Sequence, residues 1–226
     1  MKARFAFFDL DGTLADTDRD IRRAWKAAMA DLGLECPRFD ELFIAGPPIE
    51  EMARTLFPGR CTQGLVDDLR RAYASHYDND DFPETREYPG VLDDVKRIKA
   101  GGVTVAIVTN KRHAGAIAMS RHFGWDRVFD GVFSGDMFIS PDARARFAAA
   151  GVEVPAAKLR KPELLALVMR FFGASPSESV LVGDTKNDFE AASANGVFSV
   201  GVGWGYGTEA ELSMAGAVCR SLPFPL

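Results

Sequence analysis

Three short, almost continuously apolar runs constrain the fold of this chain more than any other feature of its sequence. They cover residues 5–8, 103–108 and 180–182. None alternates cleanly between apolar and polar residues, which is typical of strands covered on both faces. Helical patterns lie at 91–100, 112–123, 162–172 and 186–195, and a weaker strand pattern at 197–202. This order of elements predicts an α/β fold with a doubly wound, Rossmann-like parallel sheet.

The interval between the first two apolar runs is far longer than one crossover helix requires. It contains two amphipathic helical patterns, at 21–32 and 65–77. We therefore predict an α/β core formed by residues 1–17 and 88–226, and an inserted helical cap domain over 18–87.

Two further segments do not follow from this division into core and cap. Residues 136–160 precede Lys161, where the sequence predicts a helix over 142–150 and a short strand over 152–154. The acidic run at 78–81 is expected at a solvated edge of the cap, because runs of like charge are usually solvated.

Composition excludes several classes of protein. The chain has 226 residues, of which 47% are hydrophobic and 26% charged, as in ordinary globular proteins. A net charge of −5 argues against a protein that tracks nucleic-acid phosphates. Three scattered cysteines fit neither a zinc site nor a disulfide framework. With no signal peptide or membrane-spanning run evident, we expect a cytoplasmic monomer or homodimer without nucleic-acid or membrane partners.

Each apolar run ends in a polar cluster. The clusters are Asp9-Leu10-Asp11-Gly12-Thr13, Thr109-Asn110, and Gly183-Asp184 through Asp188. In open α/β sheets, ligand sites form outside the carboxyl ends of the strands. Any one cluster could be a helix N-cap, but the three together predict a single site at one edge of the sheet.

Four of these residues are acids, namely Asp9, Asp11, Asp184 and Asp188. Carboxylates gathered in one cleft repel one another unless a cation neutralises them. Ligation by oxygen alone suits Mg²⁺, which is commonly shared with a substrate phosphate. The four acids therefore predict a Mg²⁺ site of a kind that a substrate phosphate can share.

Lys161-Pro162 adds a cation to this site. Proline is favoured in the first turn of a helix, which puts Lys161 at the helix start. A cation there opposes the helix dipole, but an anion between the ammonium and the helix N-terminus would be favourable. The alternative is a solvated lysine in a basic stretch with Lys158 and Arg160.

The ordered set of four motifs resembles the haloacid dehalogenase superfamily of phosphohydrolases. The motifs are 9–13, 109–110, 161–162 and 183–188, and the insertion resembles the helical cap of the first subclass. Local matches resemble phosphoglycolate phosphatases and their near relatives; they are Gly46-Pro47-Pro48, Tyr88-Pro89-Gly90-Val91, Thr109-Asn110-Lys111 and Gly205-Tyr206-Gly207. Relatives usually have a shorter link before the lysine–proline pair than residues 136–160 provide.

The resemblance implies a role for each matching residue. Asp9 would be the nucleophile, and Asp11 the acid that protonates the leaving alcohol and then the base that activates water. Thr109 and Lys161 would hold the phosphoryl oxygens. The implied activity is that of a Mg²⁺-dependent phosphatase acting on a small phosphorylated metabolite, and the implied substrate contacts are Gly12, Thr13, Asn110 and Gly46. The implied Mg²⁺ ligands are Asp9, the backbone carbonyl of Asp11, Asp184 and, in support, Asp188.

Two alternatives stay open on sequence alone. A phosphosugar mutase of the same superfamily would use the same nucleophile, although Gly12-Thr13 resembles the phosphatases more closely. A receiver-like phospho-acceptor would use the same residue types as a switch, but the long insertion argues against it. Lys111 is expected to point away from the phosphoryl group, because the chain turns after Asn110.

Overall fold

The computed structural model describes residues 3–78 and 81–226. Its strands are β1 (Phe5–Phe8), β2 (Ala15–Asp16), β3 (Arg86–Glu87), β4 (Thr104–Thr109), β5 (Val132–Ser134), β6 (Ser179–Gly183), β7 (Phe198–Val202) and β8 (Ala217–Cys219). In this part of the chain, six strands form a parallel sheet in the order β5-β4-β1-β6-β7-β8. The predicted doubly wound α/β fold is confirmed.

The apolar runs form strands because both faces of the sheet are covered. In β1, Ala6 and Phe8 pack into one hydrophobic cluster and Phe5 and Phe7 into another on the opposite face. β1 lies between β4 and β6, and its last residue, Phe8, is paired with both of them. The carboxyl ends of the three predicted strands therefore lie side by side.

The helices surround this sheet and form the insertion. They are α1 (Asp18–Asp31), α2 (Phe39–Leu42), α3 (Ile49–Leu56), α4 (Gln63–Tyr77), α5 (Val91–Ala100), α6 (His113–His122), α7 (Pro141–Ala149), α8 (Lys161–Phe172), α9 (Lys186–Ala194) and α10 (Glu209–Leu212). The predicted helices are all present, while α2, α3, α10, β2, β3, β5 and β8 were not predicted. No helix among the described residues is long and apolar enough to cross a membrane.

The insertion leaves and re-enters the core through two adjacent strands. β2 and β3 are antiparallel, with Ala15 opposite Glu87 and Asp16 opposite Arg86. Helices α1 to α4 lie between them in the chain. The buried carboxylate of Asp20, in α1, accepts hydrogen bonds from the backbone N–H groups of Glu84 and Thr85 and from the Thr85 hydroxyl. The first helix is thereby fixed to the returning chain.

One expectation is wrong and another is confirmed only in part. Residues 152–154 form no strand; Val152 is buried among apolar side chains, and a short apolar alternation cannot distinguish a strand from a loop that buries its valines. In the acidic run, Asp81 is exposed as expected, but the Asp78 side chain is only 10% exposed and its carboxylate lies 3.0 Å from the Arg112 guanidinium. Asn79 and Asp80 lie outside the described residues.

Candidate active site

Asp9 begins the site at the carboxyl end of β1. Its backbone N–H donates to the carbonyl of Val182 in β6, at 2.9 Å, which extends the sheet by one residue. The residue is only 8% exposed. Burial raises the pKa of the Asp9 carboxyl to about 6, with the Lys161 ammonium opposing the rise and Asp188 adding to it.

Lys161 is a buried part of the site and not a solvated lysine. It is the first residue of α8, with Pro162 next to it. Its Nζ lies 2.8 Å from Oδ1 of Asp9 and 2.5 Å from Oδ1 of Asp188. Burial disfavours the ammonium, but the two carboxylates outweigh it and raise the pKa of Lys161 above its ordinary value.

The additional segment 136–160 leaves this placement intact. The chain runs through α7 and returns to its starting point, where Leu159 N–H donates to the carbonyl of Gly135 at 3.0 Å. At Gly135, a Cβ would come within 2.0 Å of the Leu159 carbonyl oxygen, so only glycine permits this approach. The segment therefore forms a loop whose two ends are hydrogen-bonded to each other. Helix α8 then begins with Lys161 beside Asp9 and Asp188.

Three carboxylates come together at the sheet edge. One oxygen from each of Asp9, Asp184 and Asp188 lies within 4.8 Å of the others. Burial, together with repulsion from Asp188 and Asp9, holds the pKa of Asp184 well above its ordinary value. Asp188 is fixed at the start of α9, where its Oδ2 accepts from the backbone N–H and hydroxyl of Thr185.

Asp11 does not share this cluster, contrary to the expected grouping of four carboxylates. Its Oδ1 accepts a hydrogen bond from the Thr17 hydroxyl at 2.7 Å and lies 2.7 Å from the ammonium of Lys111. The turn at Gly12, with φ of 75°, directs the two acids of the motif to different partners. A Cβ at Gly12 would come 2.1 Å from Oδ2 of Asp184, so the turn also requires glycine for space.

The expected orientation of Lys111 is also wrong. Its side chain is buried, and its Nζ contacts Asp11 and donates to the hydroxyl of Tyr77 at 2.7 Å. The turn after Asn110 brings the side chain into the site because Thr109 Oγ1 accepts from the Lys111 backbone N–H at 3.1 Å. Lys158, by contrast, is half-exposed, and its ammonium lies 3.6 Å from Glu50 in α3.

The other predicted residues fall into two groups. Thr109 and Thr13 are buried, Thr109 at the end of β4 and Thr13 with its hydroxyl 3.4 Å from Oδ1 of Asp184. Gly46 and Asn110 instead line a cavity of about 340 Å³ between the insertion and the core. Asp11 lines the same cavity.

A second cavity opens on the lysine side of the site. Its volume is about 410 Å³, and Lys161, Asn187 and Glu51 are among its lining residues. Pro48, Asn110 and Lys158 line both cavities. The N-terminal end of α3 therefore overlies the cleft, with one cavity reaching Asp11 and the other reaching Lys161.

Tyr206 was not identified from sequence as a part of the site. Its backbone N–H donates to Oδ2 of Asp184 at 2.7 Å, and its hydroxyl accepts from the backbone N–H of Thr17 at 2.6 Å. At Gly205 and Gly207, a Cβ would collide with Asp184. The glycine spacing was the available signal, since glycines at alternate positions permit a close backbone approach.

The carboxylate cluster fits a divalent cation. Oδ1 of Asp9 and Oδ1 of Asp188 are buried and both contact the Lys161 ammonium, but neither takes a well-directed hydrogen bond from the described residues. Their remaining lone pairs are therefore available, and the donor set of carboxylate oxygens is the one that Mg²⁺ prefers.

Comparisons with known proteins agree with this geometry. The family model for haloacid dehalogenase-like hydrolases matches residues 4–196. The chain is 30% identical to a phosphoglycolate phosphatase of Agrobacterium fabrum, over 89% of this chain and 81% of the relative. It is 29% identical to a 5'-nucleotidase of Pseudomonas aeruginosa, over 91% and 85% of the two chains.

A solved structure shares the fold. It is that of a predicted phosphatase from Clostridium acetobutylicum, with a TM-score of 0.79 and 20% identity. The match covers 98% of this chain and 95% of that one. With the family model matching most of its length, the chain belongs to the haloacid dehalogenase-like hydrolases, as a phosphoric monoester hydrolase related to the phosphoglycolate phosphatases.

Proposed function

We propose that this chain hydrolyses a small phosphate monoester through an aspartyl-phosphate formed on Asp9, with Mg²⁺ as cofactor. The observation that carries the proposal is the position of the Lys161 ammonium between Asp9 and Asp188, at the edge of a three-carboxylate cluster. A phosphoryl group on Asp9 would lie beside a fixed cation. Phosphoryl transfer is catalysed mainly by positioning and charge neutralisation.

The first step transfers the phosphoryl group to the protein. A carboxylate oxygen of Asp9 attacks phosphorus, and the bond from phosphorus to the leaving oxygen breaks. Asp11 gives its proton to that oxygen, so that an alcohol departs. Lys161 and Thr109 hold the phosphoryl oxygens while charge builds up on them.

The second step regenerates Asp9. Asp11, now a carboxylate, takes a proton from water, and the water oxygen attacks phosphorus. The bond between Asp9 and phosphorus breaks, and inorganic phosphate leaves. Asp11 suits both steps because it lines the cavity of about 340 Å³ and is separate from the acids that surround Asp9.

The cation would be held by Asp9, Asp184 and the backbone carbonyl of Asp11, with Asp188 in support. When bound, it would neutralise charge on the phosphoryl group and relieve the repulsion between the buried carboxylates. Gly12, Thr13, Asn110 and Gly46 are proposed substrate contacts.

The cap domain of residues 18–87 is part of the same proposal. The paired strands β2 and β3 at its two crossings and the cavities between α3 and the core support it. The cap would exclude water during the first step and admit it for the second.

An assay of phosphate release tests this function. A generic aryl phosphate and a panel of alkyl monoesters that includes phosphoglycolate and a 5'-nucleotide would be tested with Mg²⁺ and after chelation. Magnesium-dependent release of phosphate is expected. Isomerisation of a sugar phosphate without net release would instead identify a mutase, and no turnover of any ester would contradict the proposal.

A further inference from the structure

We propose that Lys111 is a positioning residue that holds the carboxylate of Asp11 and connects it to the helical insertion through Tyr77. The Lys111 ammonium lies 2.7 Å from Oδ1 of Asp11 and 2.7 Å from the hydroxyl oxygen of Tyr77. It also lies 4.4 Å from the centroid of the Tyr77 ring. The inference rests on the proposed role of Asp11 as the acid and base of the reaction.

The contacts of Asp11 are divided unequally between its two oxygens. All side-chain hydrogen bonds that the described residues make to this carboxylate go to Oδ1, from Lys111 and from Thr17. We assign the transferred proton to Oδ2, the oxygen that neither bond occupies, and Asp11 lines the cavity of about 340 Å³ in which the leaving group would lie. A group that transfers a proton must be held close to its reaction geometry, and Lys111 supplies one of the two contacts that hold it.

Tyr77 is itself held firmly at the end of α4. It is buried, and a Cβ added at Gly115 in α6 would come 3.3 Å from its ring. The next residue, Asp78, is ion-paired with Arg112 at 3.0 Å. One short core segment, residues 111–115, therefore contacts the end of the longest helix of the insertion, and Lys111 is where that contact reaches Asp11.

A defect in positioning Asp11 should depend on the leaving group. An alkyl phosphate releases a strongly basic alkoxide, which needs the proton of Asp11 as the bond from phosphorus to oxygen breaks. A nitrophenyl phosphate releases a weakly basic nitrophenolate ion, which departs without protonation. Loss of the Lys111 contact should therefore slow the first substrate much more than the second.

The test compares kcat/KM for nitrophenyl phosphate and for the best alkyl phosphate in the panel, because kcat/KM reports the step in which the leaving group departs, whereas kcat also contains the second step, which is the same for both esters. Lys111→Met should lower kcat/KM for the alkyl ester by about a hundredfold, and for the aryl ester by less than about tenfold. Tyr77→Phe, which removes only the hydroxyl, should show the same preference to a smaller degree. Lys111→Arg should restore part of the lost rate. Lys96→Met, an exposed lysine paired with Asp93 in α5, is the matched control.

The outcomes separate this inference from the proposed function. Equal losses of kcat/KM on both esters in Lys111→Met and in Tyr77→Phe would mean a purely structural role and would overturn the inference. If Asp11→Asn shows the leaving-group preference and Lys111→Met does not, only the role of Lys111 fails. If Asp11→Asn also slows both esters equally, Asp11 is not the acid of the reaction, and the inference about Lys111 is then wrong as well. Tyr77→Phe decides the question if Lys111→Met does not fold.

Discussion

The ammonium of Lys161 lies 2.5 Å from Oδ1 of Asp188, and both groups are buried. Lys161 is the first residue of α8 and Asp188 lies in the first turn of α9, and the two helices follow different strands of the sheet. The same ammonium contacts Asp9 at 2.8 Å. One cation therefore connects the ends of two helices to the end of β1, and the three together set the geometry at the proposed nucleophile.

Asp9→Asn tests the nucleophile. The amide keeps nearly the same volume but cannot attack phosphorus, so kcat should fall by about a thousandfold or more. The fold should survive, because the change removes one of three repelling carboxylates. Circular dichroism and thermal melts check the fold. Activity within tenfold of wild type would rule out the assignment of Asp9.

The carboxylate cluster predicts a stabilising effect of Mg²⁺. A cation that binds only the folded state raises Tm as its concentration rises. We expect such a rise in the wild type, and full loss of activity with EDTA. Asp184→Asn should abolish most of the rise, since it removes one of the three clustered carboxylates. Full activity after exhaustive chelation would indicate a metal-free mechanism.

Asp20 is expected to stabilise the base of the insertion. Burial opposes ionisation, but hydrogen bonds from Arg23, Thr85 and Glu84 outweigh it and lower the pKa of Asp20 below its ordinary value. A lowered carboxyl pKa contributes stability that is present above the ordinary value of 3.8 and is lost as pH falls through the lowered pKa.

Asp20→Asn should therefore reduce the free energy of unfolding by about 1–3 kcal/mol at neutral pH, because the donors lose a charged acceptor. The difference between wild type and variant should shrink as the pH falls below 3.8. Chemical denaturation across this range is the measurement. A constant difference between the two proteins at all pH values would contradict the linkage.

The sequence predicted those parts of the site that depend on strand ends. Asp9, Thr109 and Asp184 follow apolar runs, and parallel strands bring their carboxyl ends to one edge whatever the loops do. Lys161 was predicted from its place at a helix start, and its position depends on the closure between Gly135 and Leu159, which no local pattern reveals.

Contacts between distant segments were not predictable in this way. Lys111 meets Asp11 and Tyr77, and Tyr206 meets Asp184, only because the completed fold brings these segments together. The direction of a side chain after a turn depends on one backbone hydrogen bond, here from Lys111 N–H to Thr109.

The short helices α2 and α10 lack the length from which a periodic pattern could be recognised.

Lys161→Ala should lower both kcat and kcat/KM by about a hundredfold or more, because the lost charge acts mainly in the transition state. Lys158→Ala should have a much smaller effect, since that ammonium is half-exposed and paired with Glu50. Steady-state kinetics of the two variants make the comparison. A larger defect in Lys158→Ala would mean that Lys158, and not Lys161, holds the phosphoryl group.

The last prediction concerns movement of the insertion over the cleft. Two ion pairs join α3 to the core, Glu50 with Lys158 at 3.6 Å and Glu51 with Lys186 at 3.9 Å. Exposed pairs of this kind contribute only about 0–1 kcal/mol each, so they permit the insertion to open. The crossings near residues 16–18 and 85–89 are the expected hinges.

Inorganic phosphate with Mg²⁺ should favour the closed arrangement and slow amide hydrogen exchange at the non-proline positions of residues 46–51, each of which lines one of the two cavities. Amides of β7, on the far side of the sheet from β4, should be unaffected and serve as the internal control. Glu50→Gln should speed exchange in the ligand-free protein, because it weakens one of the two ion pairs, and should leave the slow exchange with phosphate largely intact. Unchanged protection over residues 46–51 at saturating phosphate would mean that the insertion is static. Specificity would then be set by the fixed shape of the cavity that Asp11 lines, and exchange of water between the two chemical steps would require a different route.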